Sequence, residues 1–162
     1  SSIASEVTLD GRFKLRGAID LIEEHRTNRV LRITDHKTGR KPERIDKVVL
    51  GGGAVLHPIL SGVAMEAALG RTVWQGRLFY CTAAGSFHAH EIPLNERTRA
   101  AGLEVLEVID RAIETGFLAA APAEDACARC DFQCVCGPDV FDRVRRKPQD
   151  PLADLIELRS RP

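Results

Sequence analysis

The first forty residues alternate apolar and polar positions in short runs broken by turn-forming dipeptides, the pattern of consecutive half-buried strands. Residues 3–9 and 12–24 read as strands joined at Asp10-Gly11, a hairpin turn. A third strand, about 29–37, follows the polar turn His25–Arg29 and ends at Thr38-Gly39. Residues 40–53 form a basic connection closing on Gly51-Gly52-Gly53. The period then changes: Leu60, Val63, Ala64 and Ala67 recur at helical spacing, predicting a helix over 54–69 with Pro58 near its first turn and Gly70 as its stop. Strands over 73–81 and 86–92 follow around Ala84-Gly85. The next helix carries the fullest signals: Asn95 as N-cap, Leu103, Leu106, Ile109 and Ile113 on one face, Gly116 past the end. Short helices over Val140–Arg146 and Leu152–Arg159 complete the chain. Elements mixed in this order indicate a single α/β sandwich.

The informative stretch is GAIDLIEEHRTNRVLRITDHKTG, residues 17–39. A hairpin turning about Thr27-Asn28 sets Asp20 opposite Asp35 and Ala18 opposite Lys37. Directly opposed side chains have Cβ atoms about 4.5–5.5 Å apart, and like charges there are destabilising. Residues 35 and 37 share a face because strands alternate. The hairpin thus gathers two carboxylates and one ammonium between Ile22 and Ile33, and a divalent cation would relieve the opposed charges. Hard cations such as Mg²⁺ take carboxylate oxygens together with substrate phosphate and water. Lys37 would then stabilise negative charge developing on a phosphate. The plain alternative is a solvated hairpin face on which Lys37 neutralises one aspartate.

Composition narrows the class. The chain has 162 residues, 44% hydrophobic and 28% charged, which suits a core-forming globular domain and excludes a disordered tail. No stretch approaches the ~18 apolar residues of a membrane-spanning helix. The opening SSIASEV lacks a signal-peptide pattern and an initiator Met, and reads as a cut. Of the five cysteines, Cys81 stands in an apolar strand, while Cys127, Cys130, Cys134 and Cys136 crowd together. Neighbours this close suit a metal or an iron–sulfur cluster in a reducing, cytoplasmic setting better than a disulfide framework. Spacing alone does not choose between zinc and iron–sulfur. Lys and Arg total 23, as do Asp and Glu, for a net charge of zero. The total hides a segregation: Arg40, Lys41, Arg44 and Lys47 follow the Asp35–Lys37 strand, and Arg143, Arg145, Arg146 and Lys147 follow the cysteines. Arg40, Lys41 and Arg44 are candidate phosphate contacts.

Asp20 in GAID followed by Asp35-His36-Lys37-Thr38-Gly39 resembles the signature of the PD-(D/E)XK nuclease superfamily, and more narrowly RecB-type and AddB-type exonuclease domains. The later helix, the strand with Gly76-Arg77-Leu78-Phe79-Tyr80, the long helix and the terminal cysteines follow in the order of those domains. The likeness covers residues 5–138. It implies a restriction-endonuclease-like fold, a mixed central β-sheet flanked by helices. It also implies hydrolysis of DNA phosphodiesters with Mg²⁺ or Mn²⁺ held by Asp20, Asp35 and the His36 carbonyl, with Lys37 as the catalytic lysine. Such domains work beside a helicase in double-strand-break repair.

The same resemblance sets Cys127, Cys130 and Cys136 as ligands of a [4Fe–4S] cluster whose fourth cysteine lies upstream in such domains and has no counterpart in this sequence; Cys134 would be a local fourth, and Zn²⁺ on all four is the alternative. Residues 1–126 would be the nuclease core lacking its N-terminal part, and 127–162 the cysteine cluster and polar tail of the same domain. Two features depart from the family pattern. No upstream metal-binding His is present, and a QxxxY pattern on the helix is replaced by His57 and Ser61, leaving His57 as a candidate metal or DNA contact. A nuclease-fold module that binds DNA or scaffolds a repair complex, and a zinc-stabilised interaction domain, are the rival readings.

Overall fold

The computed structural model describes residues 3–9, 11–53, 55–117, 120–123 and 126–161. Strands β1 (Ile3–Leu9) and β2 (Phe13–Ile19) form an antiparallel pair in which Leu9 faces Phe13 and Ile3 faces Ile19. Asp10 of the expected turn lies outside the described residues; Gly11 has φ +64°, the left-handed conformation glycine adopts most readily.

The expected strand over 12–24 is two strands. It breaks at Asp20, and β3 (Leu21–Glu24) joins a second sheet with β4 (Leu31–Lys37), β5 (Val73–Tyr80) and β6 (Ala89–Pro93), in the order β3-β4-β5-β6. The β3–β4 and β5–β6 pairs are antiparallel and β4–β5 is parallel, so the sheet is mixed. Parallel neighbours need a crossover. Helix α1 (His57–Leu69) lies on that crossover, starting three residues later than the pattern suggested; Ala54 lies outside the described residues. Helix α2 (Glu96–Glu114) follows β6, and α3 (Gln133–Cys136), α4 (Val140–Arg146) and α5 (Ala153–Ser160) end the chain.

The β3–β4 register pairs Leu21 with Thr34 and Ile22 with Ile33, the pairing a turn about Thr27-Asn28 requires. One irregularity falls between Leu31 and Arg32, which face Val73 and Gln75 and leave Trp74 as an extra residue on β5. A bulged residue loses its place in the ladder. Trp74 is accordingly 42% exposed, although it lies within the strand expected over 73–81.

Three apolar clusters bind the layers. Ile19, Leu31, Ile33, Val73, Met65 and Leu94 join β2, β4 and β5 to α1. Leu50, Ile59, Ile92, Val105 and Leu158 join α1, β6, α2 and α5. Ile45, Leu78 and Tyr80 anchor the basic connection on β5. Two glycines set the spacing. A Cβ on Gly76 would come within 2.5 Å of the Pro58 carbonyl, and one on Gly102 within 2.8 Å of Ile59 Cγ2. The first turn of α1 therefore rests directly on β5, with α2 close behind it. Asn95 caps α2 as expected, its side chain accepting from Thr98 N at 3.0 Å while Thr98 Oγ1 accepts from Asn95 N at 2.9 Å.

Candidate active site

Asp20 stands where the chain leaves the β1–β2 pair and enters the mixed sheet. The β4 backbone beyond Thr34 has no β3 partner in the ladder. Asp20 supplies one, its Oδ2 accepting from His36 N at 2.9 Å. The Asp20 carboxylate is thereby tied to the backbone between Asp35 and Lys37. The break that interrupted the expected long strand is what delivers it.

Asp35 and Lys37 are two residues apart on β4 and so share a face, continuing the one on which Leu31 and Ile33 pack against Met65 of α1. Lys37 Nζ is 2.5 Å from Asp35 Oδ2, and His57 Nδ1, in the first turn of α1, is 3.5 Å from the same oxygen. Ser61, one turn further along α1, places its Oγ 3.4 Å from His57 Nε2. Burial on its own would raise the Asp35 carboxyl; His57 and then Lys37, close beside it, outweigh it and hold the group down at about 2. Asp35 is a carboxylate throughout the neutral range. Its Oδ2 is closed to water yet makes no hydrogen bond of good geometry despite the nearness of Lys37 and His57. A buried carboxylate oxygen without an aligned donor is the donor chemistry a hard divalent cation needs.

The sequence pattern had not singled out Tyr80 for the site. It lies beside Lys37 in the parallel ladder and is buried, and burial, against the opposing charge of Lys37, raises its phenol. Its parallel partner in the sheet was not legible without knowing the strand order. Cys81, expected within an apolar strand, sits just past β5 and is only half-buried; its amide donates to the Lys37 carbonyl at 3.0 Å and its thiol faces the same oxygen at 3.6 Å. The opposite face of the sheet is an ion-pair network. Glu23 takes a bidentate pair from Arg32 at 2.9 and 2.8 Å, Arg77 NH2 at 2.7 Å and the Thr34 hydroxyl at 2.9 Å.

Of the candidate phosphate contacts, Arg40 and Arg44 are exposed, and Lys41 pairs with Asp46 at 3.3 Å. Asp46 Oδ1 in turn lies 2.7 Å from His88 Nε2, so the basic connection is fastened to the turn that precedes β6.

The four-thiol set expected near the C-terminus is not gathered. Cys127, Cys130 and Cys136 border one cavity of about 850 Å³, and Cys134 stands outside it. The reason is helical: Cys134 and Cys136 lie on the single turn of α3, where residues two apart do not share a face. Among the described residues, no three His, Cys, Asp or Glu side chains converge closely enough to hold a metal. The cysteines therefore do not fit a tetrathiolate [4Fe–4S] or zinc site. The main site brings two carboxylates, with the His36 backbone between them.

A four-stranded mixed sheet flanked by helices is the restriction-endonuclease-like architecture. The sequence matches the PD-(D/E)XK nuclease superfamily over residues 1–137, and the chain belongs to that superfamily. Membership makes it a nuclease by class, with DNA as the class of substrate and divalent metals as the usual cofactors. No curated protein matches the sequence. Among the described residues, no helix is long and apolar enough to cross a membrane.

Proposed function

We propose that this chain is a metal-dependent DNA exonuclease domain that hydrolyses phosphodiester bonds at DNA ends, working beside a helicase in double-strand-break repair. The observation that carries the nuclease reading is the Asp35 carboxylate. It is ionised, its Oδ2 is closed to water and lacks an aligned hydrogen bond, and Lys37 lies on the same face of the same strand. Asp20, bonded to the intervening His36 amide, adds the second carboxylate.

Asp20, Asp35 and the His36 carbonyl would hold Mg²⁺ or Mn²⁺. Such an ion, when bound, withdraws charge from a phosphate and lowers the pKa of its water. The chain's own part is electrostatic and positional. Lys37 keeps an ammonium beside the carboxylates, where it offsets negative charge gathering on the non-bridging oxygens as water attacks phosphorus. One P–O bond forms to the water oxygen, one ester P–O bond breaks, and the leaving alkoxide takes up a proton. Arg40 and Arg44, exposed on the connection just past Lys37, would hold flanking phosphates. Leu158 shares a core with Ile59 and Val105, which supports reading residues 127–162 as part of the same domain as the nuclease core.

End-labelled linear DNA with Mg²⁺, Mn²⁺ or EDTA tests the reading. The expected result is metal-dependent release of short products from the ends and none in EDTA. DNA bound but uncut in every metal would overturn it in favour of a binding module. Products of internal cutting only would retain the nuclease and remove the exonuclease.

A further inference from the structure

A turn over 82–88 joins β5 to β6 at the end of the sheet where Lys37 closes β4. It is fastened to the segment that follows Lys37. The Thr82 hydroxyl donates to the Thr38 carbonyl at 3.1 Å, next to the bond from the Cys81 amide to the Lys37 carbonyl. Gly85 is buried, and a Cβ there would come within 2.6 Å of Tyr80 Cβ and 3.1 Å of the Gly39 carbonyl. The turn therefore lies directly against Thr38-Gly39, with no room for a side chain between them.

Phe87 is the residue that this turn exposes. Ser86 has φ +58° and Phe87 φ +49°, two consecutive residues in the left-handed region, neither of them glycine. A bulky side chain there is rare and strained, and strain of this kind gathers at active sites and ligand clamps. Hydrogen bonds hold the conformation. The Thr82 carbonyl accepts from Gly85 N at 3.0 Å and from Phe87 N at 3.2 Å, and the Gly85 carbonyl accepts from His88 N at 3.2 Å. Burial gives nothing in return, because Phe87 is 64% exposed. Core packing does not account for an aromatic side chain at this position.

The ladder fixes how far Phe87 stands from the reaction. Lys37 faces Tyr80 across the parallel pair, and the Tyr80 amide donates to the His88 carbonyl at 2.8 Å. Two strand spacings of ~4.8 Å put the Phe87 backbone roughly 10 Å from that of Lys37. A DNA strand rises ~3.4 Å per nucleotide, so a base within about three nucleotides of a phosphate at Lys37 comes level with Phe87. Arg40, which adjoins Gly39, is exposed and adds a cation beside the same turn. Aromatic rings set along a cationic path are how proteins hold single strands.

We infer that Phe87 is a stacking platform for one base of the DNA strand bound at the site, an inference that rests on the nuclease reading above. Every base has a π-face, so the platform grips the strand without reading its sequence.

The test compares two labelled single strands of equal length with Mn²⁺, below saturation. One carries bases throughout; in the other the four nucleotides nearest each end are abasic, so that every phosphate is kept and the bases near the cleaved bonds are gone. The parent is expected to cleave the base-bearing strand about tenfold faster, the loss that one missing stack brings. Phe87→Asn, whose side chain suits left-handed backbone, is expected to bring the two rates together, and Phe87→Trp to keep them apart. Each ratio is taken on one preparation, so any loss of folded protein cancels from it. Equal rates in the parent, a preference that survives in Phe87→Asn, or one that disappears in Phe87→Trp would overturn the platform and leave the nuclease reading standing. Cleavage of neither strand by the parent would overturn that reading and this one together.

Discussion

Lys37 and Asp35 lie on one face of β4, two residues apart, with Nζ 2.5 Å from Oδ2. The pair places a cation and an anion where the strand leaves the core and reaches the surface. Lys37 is 43% exposed and Asp35 only 15%. The lysine can therefore turn toward a bound phosphate while the carboxylate stays fixed.

Lys37→Ala is expected to reduce DNA hydrolysis by about 10²–10³-fold, the usual loss when one charge-stabilising donor is removed. The exposed position of the side chain predicts little change in melting temperature. Single-turnover cleavage with saturating Mn²⁺ checks this. An undiminished rate would remove Lys37 from the reaction.

Gly76→Ala acts through distance. The added methyl would meet the Pro58 carbonyl at 2.5 Å, a backbone atom that cannot rotate away. Overpacking of this kind costs about 1–3 kcal/mol. It also pushes the first turn of α1, and His57 with it, off the sheet. Both a lower denaturation midpoint and weaker cleavage are expected; a variant as stable as the parent would show that α1 can shift without cost.

Acid stability follows from Glu66. It joins three elements: Arg99 of α2 grips it at 2.9 and 2.7 Å, and Val73 N of β5 donates to it at 2.8 Å. Burial would raise its carboxyl, but Arg99 and the Val73 amide outweigh burial and lower it. A folded value below the unfolded one stabilises the native state above the unfolded value of ~4.3, and that stability is lost as pH falls through the folded value. Glu66→Gln should flatten the fall in urea midpoint below about pH 4.5 relative to the parent. Parallel curves for the two proteins would assign the acid transition to other groups.

What the sequence disclosed and withheld divides along physical lines. The hairpin register was legible because alternation and turn position act locally: Ile22 and Ile33 had to share the buried face, which fixes their pairing. The cap at Asn95 was legible for the same reason. The approach of His57 to Asp35 was not, because it depends on α1 lying on β5, and that depends on Gly76, distant in the chain. The exposure of Trp74 was not legible because a bulge has no pattern of its own. That Cys134 stands apart from Cys127, Cys130 and Cys136 was not legible because spacing in sequence does not say which thiols share a face once a helical turn forms.

Asp20 separates charge from anchoring. Its Oδ2 both carries negative charge into the site and accepts the His36 amide at 2.9 Å. Asp20→Asn keeps an oxygen able to accept that amide but removes the charge; Asp20→Ala removes both. Metal-dependent cleavage is expected to fall about 10²-fold or more in each variant if the charge binds the cation. Stability should differ between them. Asn should hold within about 0.5 kcal/mol of the parent, while Ala, leaving the amide to water at an exposed site, should lose about 1 kcal/mol. Thermal melts alongside cleavage assays read the two effects apart. Activity retained in Asp20→Asn would leave Asp20 as a backbone anchor alone and move the second metal ligand elsewhere.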